Sequence, residues 1–155
     1  MKIKFISCIF GATLSVAKRT IRFMRTAVCN ALIRNPAARI RFPNEAQKAE
    51  FAEMIKKREP SVHNIIGFID GVAIPVKCPS DDAGQSAYYN GYRHDTVVNN
   101  VFAFGPNGKI IFACINNPGS WHDSQVCRPL IATVLEKIGQ YAFCVDQRFP
   151  RDNEL

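Results

Sequence analysis

The chain has 155 residues, room for one domain and a short appendage. Its 47% hydrophobic and 21% charged residues exclude a disordered or fibrous class, and no apolar stretch reaches the roughly 20 residues of a membrane helix, so no membrane partner is expected. The formal net charge of +7 is uneven: residues 1–41 hold nine Lys or Arg and no acid, while the remainder sets 11 basic against 13 acidic residues.

A basic end joined to a mildly acidic globule fits a polyanionic partner met first through the N-terminus; a solvated basic face is the plain alternative. Six cysteines are present, with no Cys-x-x-Cys pair to mark a zinc site. Most lie in apolar runs, where free cysteine acts as a small core residue. A reducing compartment is expected, and with a DNA partner the expected location is the nucleus.

The first 17 residues imitate a signal peptide, with Lys2 and Lys4 before Phe5–Ala17 and a Ser15-Val16-Ala17 cleavage-like site. Gly11, Thr13 and Ser15 break the apolar run and a basic stretch follows, so secretion after cleavage is the weaker reading. Ile21, Met24, Val28, Ala31 and Leu32 share one face of a predicted helix, and Lys18, Arg22 and Arg25 follow one another on a different face. Ser15 suits its N-cap. This basic amphipathic helix reads either as a helix-turn-helix remnant that touches DNA through Lys18, Arg22 and Arg25, or as a packing helix with solvated arginines.

Pro36 and Pro43 bracket a connector. A second helix is predicted from Asn44, a good N-cap with Gln47 in the capping-box position, to about Arg58 before Pro60, with Phe51, Met54 and Ile55 as its packing stripe. The sequence divides into a basic helical segment, residues 1–60, and a globular part, residues 61–155.

In the globular part, Ile65–Val76 reads as a long strand bent at Asp70-Gly71, and Ser80–Gly91 as a polar loop. Thr96–Phe104 and Lys109–Ile115 read as strands joined by Gly105-Pro106-Asn107-Gly108, a hairpin signal. Ser124–Ile138 has helical spacing with Gly139 as its stop, and Tyr141–Val145 is a short buried strand. The order is β-β-β-α-β. A hairpin pairs antiparallel, whereas the helical crossover implies a parallel last strand.

Three aspartates stand at the ends or interruptions of these apolar runs: Asp70, Asp123 and Asp146. A carboxylate beside a sheet core is costly without a neutralising partner, and gathered carboxylates repel. A hard divalent cation, Mg²⁺ or Mn²⁺, satisfies both demands and keeps positions open for phosphate oxygens. If the last strand lies beside the first, Asp70 and Asp146 become neighbours, and Asp123 opens towards the same carboxyl edge, where ligands of open α/β sheets collect. Each aspartate also has a plain role: Asp70-Gly71 as a turn, Asp123 as a helix cap, Asp146 as a strand end. Arg93 and His94, with Tyr88, Tyr89 and Tyr92, read either as DNA contacts or as a tyrosine-rich surface loop. His122 reads as a neighbour of the ligand set or as a surface histidine, and Trp121 as packing.

The strand order is that of a ribonuclease H-like core, by analogy of fold. Phe68-Ile69-Asp70-Gly71 with Ile74-Pro75-Val76-Lys77-Cys78-Pro79, Tyr89-Asn90-Gly91-Tyr92-Arg93-His94, Asn117-Pro118-Gly119-Ser120-Trp121-His122-Asp123-Ser124 and Val145-Asp146-Gln147-Arg148-Phe149-Pro150 occur in this order. With these pieces the chain resembles the endonuclease domain of PIF/Harbinger-type transposases of the DDE superfamily, the group that includes Harbinger transposase-derived nucleases. The Gly-Ser-x-His-Asp-Ser piece is the most specific. Val72 and Ala73 stand where family members often carry Thr and His.

The resemblance implies an α/β fold with a ribonuclease H-like mixed sheet, incomplete here, preceded by N-terminal helices. It implies a divalent-metal-dependent DNA endonuclease or transposase core in which Asp70, Asp123 and Asp146 hold one or two Mg²⁺ or Mn²⁺ ions. A separate DNA-binding partner protein is compatible with it. The family's catalytic Glu lies on a helix some tens of residues past the position of Asp146; only nine residues follow Asp146 here, and Glu154 is too close to match. The expectation is therefore little or no cleavage by this chain alone. The rival expectation is a non-catalytic DNA-binding or partner-binding remnant of a domesticated transposase.

Overall fold

The computed structural model describes residues 3–121 and 123–146. The chain forms two compact units, Met1–Arg39 and Ile40–Leu155. The change in charge read from the sequence lies near residue 41, close to the division between the units, and the helix after Asn44 packs with the sheet.

In the first unit, α1 (Ile3–Ile9) precedes α2 (Leu14–Arg34). The cap of α2 is Thr13, not Ser15: the Thr13 hydroxyl accepts from the Val16 amide at 3.4 Å, and Ser15 sits in the first turn with its Oγ 3.2 Å from that hydroxyl. Asn35 ends α2 and caps the 3-10 turn Pro36–Ala38 by accepting from the Ala37 amide at 3.0 Å. Ala17 is the buried residue of α2. The predicted apolar stripe is present but uncovered, with Met24, Val28 and Leu32 each more than half exposed. Lys18, Arg22 and Arg25 are exposed as well.

The second unit opens with α3 (Glu45–Arg58), bounded as expected. Asn44 and Gln47 form the full capping box: the Gln47 amide donates to Asn44 Oδ1 at 2.9 Å and the Asn44 amide to Gln47 Oε1 at 3.1 Å. This arrangement satisfies two otherwise orphaned N–H groups. Phe51 and Ile55, one turn apart, are buried, while Met54 faces outward. Lys48 shares their side of the helix and is buried. Its ammonium donates to Glu45 at 2.6 Å and to the Lys137 carbonyl, and lies 5.7 Å and 6.0 Å from the rings of Phe42 and Tyr141. A buried cation requires such partners.

The sheet is mixed. Central β1 (Ile65–Pro75) pairs antiparallel with β3 (Asp95–Phe104) and parallel with β5 (Ala142–Val145); β4 (Ile110–Pro118) pairs antiparallel with the other side of β3. The short β2 (Tyr89–Asn90) lies against Asp95 and Thr96. The β1–β3 ladder runs unbroken from Phe68 to Pro75, so the bend expected at Asp70-Gly71 is absent; the irregularity lies between Ile65 and Gly67, against β5. The β3–β4 hairpin closes through Gly105–Gly108, the Gly108 amide donating to the Gly105 carbonyl at 3.0 Å.

Ser80–Gly91 is not a loop throughout: α4 (Asp82–Tyr88) and β2 lie within it. Asp81 caps α4, its Oδ2 accepting from the Gly84 amide at 2.6 Å. The crossover helix α5 (Asp123–Ile138) ends as expected at Gly139, whose φ of +63° a side chain would resist. Phe51, Ile66, Ile69, Val101, Ala103, Ile111, Val126 and Val134 form the core between the sheet and the helices α3 and α5. The β-β-β-α-β order, with its parallel last strand beside the first, is compatible with a ribonuclease H-like fold preceded by N-terminal helices.

Candidate functional site

The parallel register sets Ile69 against Val145. One step further along the two strands stand Asp70 and, directly after β5, Asp146. Neighbouring strands lie about 4.8 Å apart, so the two aspartates occupy adjacent positions at the carboxyl end of β5. The crossover brings together carboxylates that are 76 residues apart in the sequence.

Asp70 stands on the outward side of β1. Ile69 is buried and Asp70 exposed, as strand alternation requires, and the alternate residues Phe68, Val72 and Ile74 are exposed with it. Asp146 is also exposed. The burial cost that singled out these aspartates in the sequence is therefore not what governs them; adjacency is. Asp70 is oriented by its own backbone, Oδ1 accepting from the Gly71 amide at 2.8 Å.

Asp123 is the first residue of α5. Its side chain and all of His122 lie outside the described residues. The segment leading to Asp123 is fixed by asparagines. Asn99, buried in β3, donates from Nδ2 to the carbonyls of Gly119 at 3.3 Å and Trp121 at 3.0 Å. Asn99 pairs with Ala73 of β1, three residues beyond Asp70 and so about 10 Å along the strand. The start of α5 is thus anchored from the helix-covered face of the sheet, opposite to the face that carries Asp70. Beside it, Asn100 donates to the Val72 carbonyl at 3.2 Å and accepts from the Asn116 amide at 3.0 Å.

These positioning asparagines were missed in the sequence, although Val97-Val98-Asn99-Asn100-Val101 carried a signal: two amides inside a β-branched run need buried partners. Among the described residues, no three Asp, Glu, His or Cys side chains gather as a metal cage. The described pair nevertheless has the right chemistry for a hard cation: adjacent, solvent-accessible carboxylate oxygens, with no neighbouring imidazole required.

Arg93 stands in the turn between β2 and β3 and is exposed, as are Tyr92 and His94. A family model described as DDE superfamily endonuclease matches residues 69–155, more than half of the chain. The chain belongs to this family. The match begins one residue before Asp70 and takes in every strand from β2 onward, Asp123 and Asp146. No curated protein and no solved structure matches the chain.

Membership in the DDE endonucleases supports a nuclease or transposase-like function, a class of activity that implies interaction with DNA. Divalent metals are general in this family. No described helix is long and apolar enough to cross a membrane.

Proposed function

We propose that this chain is the divalent-metal-dependent core of a DNA endonuclease or transposase, of the PIF/Harbinger branch. The observation that carries the reading is the parallel β1–β5 register, which sets Asp70 beside Asp146. The branch assignment rests on the Gly119-Ser120-Trp121-His122-Asp123-Ser124 piece in its order among the other motifs.

Asp70 and Asp146 would hold the cation, with Asp123 at the head of α5 as the third ligand. When bound, Mg²⁺ or Mn²⁺ supplies Lewis-acid polarisation of the scissile phosphate and a water acidic enough to ionise near neutral pH. The protein contributes placement. The β1–β5 ladder sets the spacing of two carboxylates, the Gly71 amide fixes one oxygen of Asp70, and the Asn99 amide anchors the approach to α5. Open sheet face around Asp70 leaves room for a phosphodiester.

Paramagnetic Mn²⁺ added to the ¹⁵N-labelled chain should broaden the amide resonances of Ile69–Gly71 and Val145–Asp146 first. Broadening confined to other acidic residues, such as Asp81 and Asp82, would overturn the assignment.

DNA is met through the first unit as well, where α2 carries Lys18, Arg22 and Arg25 with no acid nearby in sequence. Counterion release makes such binding steeply salt-dependent, with a log–log slope of about −0.9 per phosphate neutralised. Replacing all three by Ala should flatten the slope measured by fluorescence anisotropy by about 2.7. An unchanged slope would remove α2 from the interface.

A further inference from the structure

Beyond the carboxylate pair, an open cleft of about 390 Å³ lies at the far end of β1. Ala73 and Pro75 of β1 and Val97 of β3 line it with apolar surface, and Tyr92 and Arg93 of the turn before β3 and Asp95 at the start of β3 line it on the other side. Pro75 and Val97 are direct partners in the ladder, so the apolar side belongs to the sheet itself.

The turn is built, not loose. Asn90 Oδ1 accepts from the amides of Tyr92 at 3.1 Å and Arg93 at 3.0 Å, and Asn90 Nδ2 donates to the Gly119 carbonyl at 2.7 Å. His94 takes a left-handed φ of +52°, a conformation few side chains adopt. Tyr92 is thereby held 84% exposed. An aromatic ring presented to water on a fixed backbone gains nothing for the fold. Among the described residues, Arg93 forms no ion pair with Asp95, although both line the same cleft. Asp95 Oδ1 accepts from the Thr96 amide at 2.8 Å, and its carboxylate keeps acceptor capacity in the lining of the cleft.

We propose that this cleft receives one unstacked base of the DNA. Base stacking on an aromatic ring and on a guanidinium plane is the recurrent way to hold an unpaired nucleotide, and apolar side chains complete such a pocket. Tyr92 offers the ring and Arg93 the cation, for the base plane or the adjoining phosphate. Asp95 can only accept, so it offers an acceptor to whichever donor the base edge presents, an exocyclic amino group or the ring N–H of thymine or guanine. A paired base cannot enter, because its faces and edges are occupied in the duplex. The cleft begins at Ala73, three residues along β1 from Asp70 and, by strand alternation, on the other face of that strand. The inference takes from the proposed function only that the ligand is DNA.

The test compares affinities of the full chain, in EDTA, for two DNA duplexes that differ by a single bulged adenine. The bulged duplex should bind about tenfold more tightly, within the range that base–aromatic stacking supplies. Tyr92→Ala should abolish the preference and Tyr92→Phe should retain it; the side chain is exposed, so neither endangers the fold. Equal affinity for the two duplexes, or a preference that survives Tyr92→Ala, overturns the proposal. Because no metal is present, the outcome is independent of the Mn²⁺ experiment: a bulge preference without Mn²⁺ uptake at Asp70 would sink the metal core and leave the cleft, and the reverse result would do the opposite.

Discussion

Asp70→Asn should lower Mn²⁺ affinity at least about tenfold, since even the loss of an outer-shell partner costs about 10–100-fold. Any Mn²⁺-dependent nicking of supercoiled plasmid should fall by about 10²-fold or more, because each 1.36 kcal/mol of lost transition-state stabilisation is about tenfold in rate. The substitution isolates charge. Asn keeps the size of the side chain and an oxygen that can still accept from the Gly71 amide, now at 2.8 Å from Asp70 Oδ1. The residue is exposed, so unfolding is not a competing cause. Asp146→Asn should behave alike, and the exposed Asp82→Asn on α4 should change nothing. Calorimetry of Mn²⁺ binding and a nicking assay on the same samples read both quantities. Full Mn²⁺ affinity in Asp70→Asn would remove this residue from the site.

What the sequence made legible was whatever depended on strong local rules. The capping box of Asn44 and Gln47 fixed the start of α3, Gly139 fixed the end of α5, and Asn107-Gly108 marked the β3–β4 turn. The parallel direction of β5 followed from the helical crossover, whereas the adjacency of Asp70 and Asp146 hung on the condition that the last strand lie beside the first, which the β1–β5 pairing meets. Their exposure did not follow. Alternation along β1 puts Asp70 opposite in facing to Ile69, and sequence cannot show which face of a long apolar strand the helices will cover.

Other features were hidden for the same reason: they depend on residues remote in the chain. Helix α4 has only seven residues, without an apolar stripe, and rests on the Asp81 cap. Nothing in the local pattern of α3 distinguishes Lys48, yet it is buried near the rings of Phe42 and Tyr141 with the Lys137 carbonyl as acceptor. In α2 the periodicity was read correctly, but period alone does not say that a stripe is covered; Met24, Val28 and Leu32 remain exposed.

The largest effect on stability is expected at Gly119. A Cβ there would lie 2.3 Å from the Tyr88 carbonyl oxygen, 2.3 Å from that of Val97 and 2.9 Å from Val97 Cγ2. Two of these atoms are main chain and belong to different elements, the end of α4 and the start of β3. Neither can retreat without disturbing its own hydrogen bonds, so relief must come from moving the Gly119 segment. That segment is held in turn: the Gly119 carbonyl accepts from Asn90 at 2.7 Å and from Asn99 at 3.3 Å. Gly119→Ala should therefore cost about 3 kcal/mol or more, at or above the upper end of ordinary overpacking.

Urea unfolding should show this as a lower midpoint with an unchanged slope. Gly91→Ala is the matched control: a Cβ there meets nothing within 4 Å, and the change should stay within about 0.5 kcal/mol. Because Asn90 also fixes the Tyr92–Arg93 turn and Asn99 the approach to α5, folded Gly119→Ala should lose preference for a bulged base and affinity for Mn²⁺ together. A loss below about 1 kcal/mol would mean that the two strands and α4 can slide apart cheaply, and that the asparagine anchors do not hold the site as described.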